Sequence, residues 1–206
     1  MDRGTLHPEA GTVLQFWLHD ALRLGWPSQD MRALWFGGGA VLDRLIDARF
    51  GHQVRDAVSG GLASWEARPL DRLALVILLD QFTRNVFRGA AQAFAGDARA
   101  QLLATDAMAH GWDAQLPLAG QVFLTMPLMH AETPTMQDEC VRRFKQLLTS
   151  AAPEHVKALR GHLEAAEKHR DIIAEFGRFP YRNAMLSRAS TAREQEFLQT
   201  GPRFGQ

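Results

Sequence analysis

The chain has 206 residues, of which 46% are hydrophobic and 22% are charged, as in an ordinary globular protein. Lysine plus arginine equals aspartate plus glutamate at 23 each, so a general binder of nucleic acid or of anionic membranes is not expected. The single cysteine, Cys140, excludes an intramolecular disulfide and a zinc site built from several cysteines.

The N-terminal residues 1–9 have no apolar core, so they are not expected to be a signal peptide. The longest strongly apolar run, 73–79, is much shorter than the roughly 20 residues that a membrane-spanning helix needs. We therefore expect a cytoplasmic protein without a membrane segment, in which this run is part of a buried helix.

Apolar residues recur at helical spacing through the whole chain, without the sustained alternation that is typical of strands. In the N-terminal half, helices are predicted at 13–20 with Thr12 as N-cap, in a short segment after Ser28, at 40–58, in one turn at 62–67, at 71–87 with Asp71 as N-cap, and at 97–109. In the C-terminal half, they are predicted at 119–132, at 136–148, from Pro153 to a stop at Gly177, at 180–187, and to Leu198 after a capping box of Thr191 and Glu194. No linker or internal repeat divides residues 1–206, which predicts one all-α domain of nine or ten helices and no sheet.

The predicted helix 71–87 is apolar on every side in its first half and polar in its second half. Asp80, Arg84 and Arg88 recur every four residues on one face, and Gln81 and Asn85 flank that face. Because buried charge needs partners, this face is either an ion-pair network in which Asp80 neutralises Arg84, or one wall of a ligand pocket. On this helix alone the network is the better interpretation.

Two further segments carry residues that could do chemistry. His130 and Glu132 follow an apolar helix, where His130 is either a general acid or base or only a cap of the helix end.

The second segment with residues that could do chemistry is 167–183. Its His169 lies on a predicted helix that stops shortly before a new helix begins. Arg178, Arg182 and Asn183 lie around that start, where free N–H groups and guanidinium groups would form an anion site. The alternative is a tight turn between helices with solvated arginines.

Three histidines at seven-residue spacing, His155, His162 and His169, do not form a metal site. Seven helical residues extend over roughly 10 Å, which one metal ion cannot bridge. We expect no tightly held structural metal. The weakest functional alternative is a metal enzyme with ligands from separate helices, namely Asp80, His130, Glu132 and His169.

Several short segments are specific enough to compare with known families. They are Phe16-Trp17, Trp35-Phe36, Leu78-Leu79-Asp80-Gln81-Phe82 with Arg84-Asn85, Pro127-Leu128-Met129-His130 with Glu132, Phe176-Gly177-Arg178-Phe179-Pro180 with Arg182-Asn183, and Ser190-Thr191. Together they resemble a widespread bacterial family catalogued only as domain of unknown function number 924, over about residues 16–197. The resemblance implies a tetratricopeptide-like array of antiparallel helices, but it implies no reaction and no cofactor.

The leading functional hypothesis is a small-molecule site where the three polar segments meet, in which Arg84, Arg178 and Arg182 share one cavity. Its expected ligand-binding residues are Asp80, Gln81, Arg84, Asn85, Arg178, Arg182 and Asn183. Such a lining suits a phosphate or carboxylate ligand, and the acid–base candidates of an enzyme would be His130, His169 and Glu132. The alternative is an interaction scaffold whose arginines bind an acidic peptide.

Overall fold

The structure, a computed structural model, describes residues 6–202. Within this range all regular secondary structure is helical and no strand occurs, which confirms the all-α prediction. The α-helices are α1 (Pro8–Leu18), α2 (Ala21–Leu24), α3 (Arg32–Phe36), α4 (Ala40–Val58), α5 (Pro69–Ile77), α6 (Thr83–Val86), α7 (Asp97–Ala109), α8 (Leu118–Met129), α9 (Pro134–Thr149), α10 (Val156–Phe176) and α11 (Ala192–Thr200). Residues 1–5 of the segment considered for a signal peptide lie outside the described range.

Shorter helical turns connect these elements. Five are 3₁₀-helices: Ala63–Ala67, Ala91–Phe94, Asp113–Gln115, Pro153–His155 and Pro180–Arg182. The segment Leu78–Phe82 is π-helical and joins α5 to α6 without a break, so the long helix predicted at 71–87 is present with one wide turn inside it. The predicted bounds of α4 and α7 agree with the structure.

The chain divides into two compact units, one ending at Leu124 and the other beginning at Thr125. That residues 1–206 form one domain stays a prediction, and so does the tetratricopeptide-like arrangement of the helices.

The centre of the first unit is α5 together with the start of the π-helical turn, and the apolar run 73–79 across them is completely buried, as the sequence predicts. Aromatic rings continue this core beyond α5. The ring of Phe82 lies 5.2 Å from that of Trp17 on α1 and 5.0 Å from that of Phe50 on α4. No helix in the described range has both the length and the apolar character to cross a bilayer.

In the second unit, α9 packs against α10, and the ring of Phe144 stacks on that of His162 at 5.7 Å. The completely buried Gln137 of α9 fixes the chain just after α8. Its side-chain amide donates to three backbone carbonyl groups, those of Leu128, Met129 and Ala131. Leu128 and Met129 are at the end of α8, where a helix leaves its last carbonyl groups without partners inside the helix, and Ala131 lies just beyond that end. Gln137 therefore holds the backbone on both sides of His130.

Two predicted N-caps are wrong for the same reason. Helix α1 begins at Pro8, and the hydroxyl of Thr12 donates to the Pro8 carbonyl from inside the helix. Helix α5 begins at Pro69, and Asp71 accepts a hydrogen bond from the backbone N–H of His7. Proline is favoured in the first helical turn because its fixed φ suits the helix and it has no N–H to satisfy. In both places the proline, and not the following polar residue, marks the helix start.

The N-cap predicted at Ser28 is also wrong, because α3 begins only at Arg32. The hydroxyl of Ser28 donates to Asp20 at 2.6 Å, and its backbone N–H donates to the same carboxylate at 2.9 Å. These bonds lower the pKa of Asp20 far below its usual value. By contrast, the capping box is confirmed, since Thr191 and Glu194 bond each other's backbone N–H at 2.7 and 3.2 Å.

Candidate functional site

The π-helical turn places a carboxylate inside the core of the first unit. Asp80 is completely buried, and the side-chain amide of Gln81 donates to it at 2.6 Å. The wide turn is supported by Thr83, whose N–H bonds to the Leu78 carbonyl and whose hydroxyl bonds to the Leu79 carbonyl at 2.8 Å. Such turns occur frequently at functional sites. The extra residue in the turn also rotates Asp80 out of the regular four-residue stripe that the sequence predicts.

Arg84 is neutralised by a carboxylate that the sequence analysis did not single out. Its guanidinium donates to Asp97 at 2.7 Å and to the Ala93 carbonyl, and it lies 4.8 Å above the ring of Phe94. Among the described residues the ion-pair partner of Arg84 is Asp97 and not Asp80, so the predicted Asp80–Arg84 pair is wrong. The two side chains of the actual pair are only 13% and 12% exposed, so this pair stabilises the packing of helix ends in the first unit.

Asn85 belongs to a second polar network of the first unit. Its amide donates to Asp43 at 2.9 Å, and Arg88 donates to both oxygens of the same carboxylate. Burial raises the pKa of Asp43, but these hydrogen bonds outweigh it and hold the pKa below its usual value. Asn85 and Arg88 thus anchor the start of α4.

The second unit contains a pair of histidines whose rings lie 6.2 Å apart, His130 after α8 and His169 on α10. His169 is only 3% exposed, and its Nδ1 lies 2.8 Å from the Ala165 carbonyl. A carbonyl only accepts hydrogen bonds, so Nδ1 carries the proton and Nε2 is a proton acceptor. Phe179 contacts the His169 ring edge-on at 5.5 Å, which fixes the plane of the imidazole.

Arg182 adds a buried positive charge to this pair. It is 4% exposed, and its guanidinium lies 4.6 Å above the ring of Phe179. Burial is the main cause that lowers the pKa of His169 to about 3; electrostatic interaction with His130 and Arg182 contributes to the lowering, and the hydrogen bond to the Ala165 carbonyl opposes it. His169 is therefore neutral at physiological pH. The result is a neutral proton acceptor beside positive charge in a region of low dielectric constant.

Glu132 organises the backbone of the loop that carries Arg182. Its carboxylate accepts the N–H of Phe179 at 2.8 Å and two hydrogen bonds from Arg188, at 2.6 and 2.9 Å. Burial raises the pKa of Glu132, but these hydrogen bonds outweigh it and keep the carboxyl ionised. Sequence analysis missed Arg188, which lies in none of the polar motifs and is 56 residues from its partner.

The helix predicted at 180–187 is wrong, since only the 3₁₀-helix Pro180–Arg182 forms. Arg188 closes the chain into a turn by bonding the side chain and backbone of Asn183. Ser187 takes a positive φ of 53° just before it. A three-residue 3₁₀-helix offers no row of free N–H groups, so the helix-start argument for an anion site does not apply here.

Arg178 and Asn183 have partners within the second unit. Arg178 donates to both oxygens of Glu194, at 2.6 and 2.8 Å, and this bond lowers the pKa of Glu194 to about 2. Asn183 also donates to Ser190 at 3.0 Å. Both side chains tie the loop 178–191 to the start of α11. It stays a prediction that one cavity is shared by Arg84, Arg178 and Arg182. The ligand-binding roles of Asp80 and Gln81 also stay predictions.

We expect Glu132→Ala and Arg188→Ala each to lower the free energy of unfolding by about 2 kcal/mol, because each change leaves the other charge half-buried without its partner. Urea unfolding of both single variants and of the double variant should give a coupling energy of about 1–2 kcal/mol. Glu175 and Arg193 provide the control, since their side chains are 41% and 72% exposed. That pair should couple by less than about 1 kcal/mol, and equal coupling in the two pairs would contradict the role assigned to Glu132.

No three His, Cys, Asp or Glu side chains of residues 6–202 are grouped so that they could hold one metal ion.

Comparison with known proteins gives two matches and no activity. A family model described as a bacterial protein of unknown function, DUF924, matches residues 13–202. The solved structure of a protein of unknown function, ATU0120 from Agrobacterium tumefaciens, is 32% identical to this chain, with a TM-score of 0.76, and the match covers 94% of this chain and 98% of that one. No curated protein matches the chain.

Proposed function

We propose that this chain, which belongs to the DUF924 family of bacterial proteins of unknown function, binds a small molecule with a phosphate or carboxylate group in its second unit. The proposed site consists of His130, His169 and Arg182. The observation that carries the proposal is the buried, neutral His169 beside the nearly buried guanidinium of Arg182.

Positive charge in a poorly hydrated region attracts anions more strongly than the same charge in water. Arg182 is held in place by its contact with Phe179, whose own ring is stacked 5.3 Å from that of Tyr181. A guanidinium in a fixed position loses little side-chain entropy when it binds an oxyanion. This supports a phosphate or carboxylate group as the part of the ligand that Arg182 binds.

Proton chemistry follows from the tautomer of His169. Its Nε2 can accept a hydrogen bond or a proton from a bound molecule, because Nδ1 already donates to Ala165. A bound anion would offset the nearby positive charges and raise the pKa of His169. Anion binding is therefore coupled to proton uptake, and the affinity should increase as the pH falls below neutrality. Any reaction at this site would use His169 as the base and Arg182 to hold negative charge.

Three further residues predicted as site members lie in the second unit and have supporting roles in this proposal. Glu132, Arg178 and Asn183 hold the loop that carries Arg182, through contacts described above. Gln137 fixes the backbone around His130 in the same way.

The test is the thermal stability of the full chain with phosphate, sulfate, citrate and a panel of phosphorylated metabolites. At least one anion should raise the melting temperature of the wild type. Arg182→Gln should weaken its binding by about tenfold or more, because charge-assisted hydrogen bonds contribute roughly 1.5–3 kcal/mol each. Arg160→Gln is the matched control, since it removes the same charge from an exposed position on α10 and should bind like the wild type.

His169→Asn gives an independent measurement, because asparagine can still donate to the Ala165 carbonyl but has no titrating Nε2. Calorimetric titration of the wild type in buffers of different ionisation enthalpy should report proton uptake on anion binding, and this uptake should be lost in the variant. The proposal fails if no anion stabilises the wild type, or if Arg182→Gln binds as tightly. Binding of acidic peptides in place of small anions would favour the scaffold alternative.

A further inference from the structure

Two buried polar groups of the second unit require opposite hydrogen-bonding roles from a ligand. His169 is 3% exposed, and its Nδ1 lies 2.8 Å from the Ala165 carbonyl, one turn earlier in α10. A carbonyl has no hydrogen to donate, so Nδ1 carries the proton and Nε2 acts as an acceptor. The guanidinium of Arg182, which is 4% exposed, has only N–H donors. Arg182 therefore binds a negatively charged oxygen, whereas His169 binds a hydrogen.

Both groups contact the same aromatic ring, so one small molecule can meet both of them. The ring of Phe179 lies 5.5 Å from that of His169 and 4.6 Å from the guanidinium carbon of Arg182. The bond to Ala165 fixes the tautomer of His169, and Phe179 fixes the plane of its ring. The roles of donor and acceptor therefore cannot be exchanged without breaking these contacts.

The surroundings of His169 leave it as the acceptor for a hydrogen of the ligand. The titratable and charged groups that face it from other elements are His130, whose ring lies 6.2 Å away, and Arg182. The nearest carboxylate of the loop, Glu132, already accepts the N–H of Phe179 and two hydrogen bonds from Arg188.

We propose that this site selects small anions that carry a hydroxyl group beside their negative charge, an inference that rests on the function proposed above. Hydrogen phosphate and hydroxy acids belong to this class, whereas sulfate and simple dicarboxylic acids do not. A charged oxygen of the ligand accepts hydrogen bonds from Arg182, and the hydroxyl donates to Nε2 of His169.

An anion without such a hydrogen is disfavoured for a physical reason. It would place a lone pair against that of Nε2, or it would require His169 to take up a proton from the solvent. An anion with a hydroxyl group supplies this hydrogen itself. The proton uptake expected above should therefore be smaller for hydroxyl-carrying anions than for the others.

The experiment compares two matched pairs of anions by calorimetric titration of the full chain near neutral pH. Phosphate and sulfate are both tetrahedral, but at this pH only phosphate keeps a hydrogen. Malate and succinate differ by one hydroxyl group. Phosphate and malate should bind at least about tenfold more tightly than sulfate and succinate, because a site built to bond a hydroxyl rejects the analogue that lacks it.

His169→Phe tests whether His169 causes this preference. Phenylalanine fills a similar volume but has no acceptor nitrogen, so phosphate should bind this variant no more tightly than sulfate. His162→Phe is the matched control, because it makes the same change at another buried position, seven residues earlier on α10. It should keep the preference of the wild type. The melting temperatures of both variants show whether they fold, and the comparison of anions on the wild type does not depend on them.

Equal binding within both pairs would overturn this inference and leave the proposed function standing. A preference that persists in a folded His169→Phe variant would also overturn it, because another group would then accept the hydrogen. If none of the four anions binds, the inference is again wrong, and the proposed function stands only if another anion of the panel binds.

Discussion

Acidification from pH 6.5 to 4.5 is expected to lower the free energy of unfolding by about 4 kcal/mol, a large part of a typical total of about 5–15 kcal/mol. The cause is the burial of two histidines on α10. His162 and His169 are 8% and 3% exposed, and burial lowers their pKa values to about 4 and about 3. In the unfolded chain both would titrate near 6.5.

The sign of this pH dependence follows from whether the unfolded or the folded chain binds more protons. Below pH 6.5 the unfolded chain takes up protons at both positions, whereas the folded chain does so only near pH 4 for His162 and near pH 3 for His169. Their contribution to stability is therefore complete above pH 6.5 and is lost as the pH falls. Carboxylates with lowered pKa values, such as Glu194, act in the same direction, but only below about pH 4.5. The interval from pH 6.5 to 4.5 thus reports on the histidines.

Urea unfolding at several pH values between 7.5 and 4.5 measures this loss directly. His162→Phe should reduce the loss to about half, because phenylalanine can keep the stacking on Phe144 and does not titrate. The exposed His52 provides the control, and His52→Gln should leave the pH dependence unchanged. A free energy of unfolding that stays constant between pH 6.5 and 4.5 would show that these histidines are not buried in the neutral form.

Gly96→Ala is expected to destabilise the first unit by about 3 kcal/mol or more, at the upper end of the usual cost of overpacking. A methyl group at Gly96 would lie 2.3 Å from the Leu79 carbonyl oxygen and 2.9 Å from its carbon. That carbonyl lies in the π-helical turn and already accepts the Thr83 hydroxyl, so neither it nor the backbone of α7 can move freely. The φ of Gly96 is −84°, so the cost comes from the clash and not from the backbone conformation of glycine.

Gly161→Ala is the matched control in the second unit. Gly161 lies within α10, and a methyl group there would meet no atom within 4 Å. Alanine favours a helix over glycine by about 0.5–1 kcal/mol, so this variant should be more stable than the wild type. Urea unfolding measures the free energy of unfolding of both variants, which can then be compared with that of the wild type. If Gly96→Ala proves as harmless as Gly161→Ala, then α7 does not pack closely against the π-helical turn.

The π-helical turn and the buried histidines lie in different units, yet both depart from what stability alone would select. A wide turn forgoes regular backbone hydrogen bonds, and a buried imidazole gives up hydration. Asp80 and His169 are the buried ionisable side chains at these two positions. Costs of this kind are concentrated at functional sites, which makes these residues the first targets for any search for activity.

The sequence alone determined the features that depend on close neighbours in the chain. The bounds of α4 and α7, the stop at Gly177 with its φ of 67°, and the capping box of Thr191 with Glu194 were all predicted from local residue types. The run 73–79 was also predicted correctly as a buried helix, because an all-round apolar helix segment can only be stable in a core.

Only the tertiary structure decided which charges meet. Four-residue spacing suggested that Asp80 neutralises Arg84, but the partner is Asp97 on α7, and the π-helical turn changes the face on which Asp80 lies. Glu132 likewise pairs with Arg188, 56 residues away. The physical reason is that spacing along one helix fixes only which side chains share a face, whereas an ion pair between elements depends on which elements pack together. The sequence could therefore mark His130, His169 and Arg182 as chemically interesting, but only the fold placed His169 and Arg182 against Phe179 and His130 beside His169.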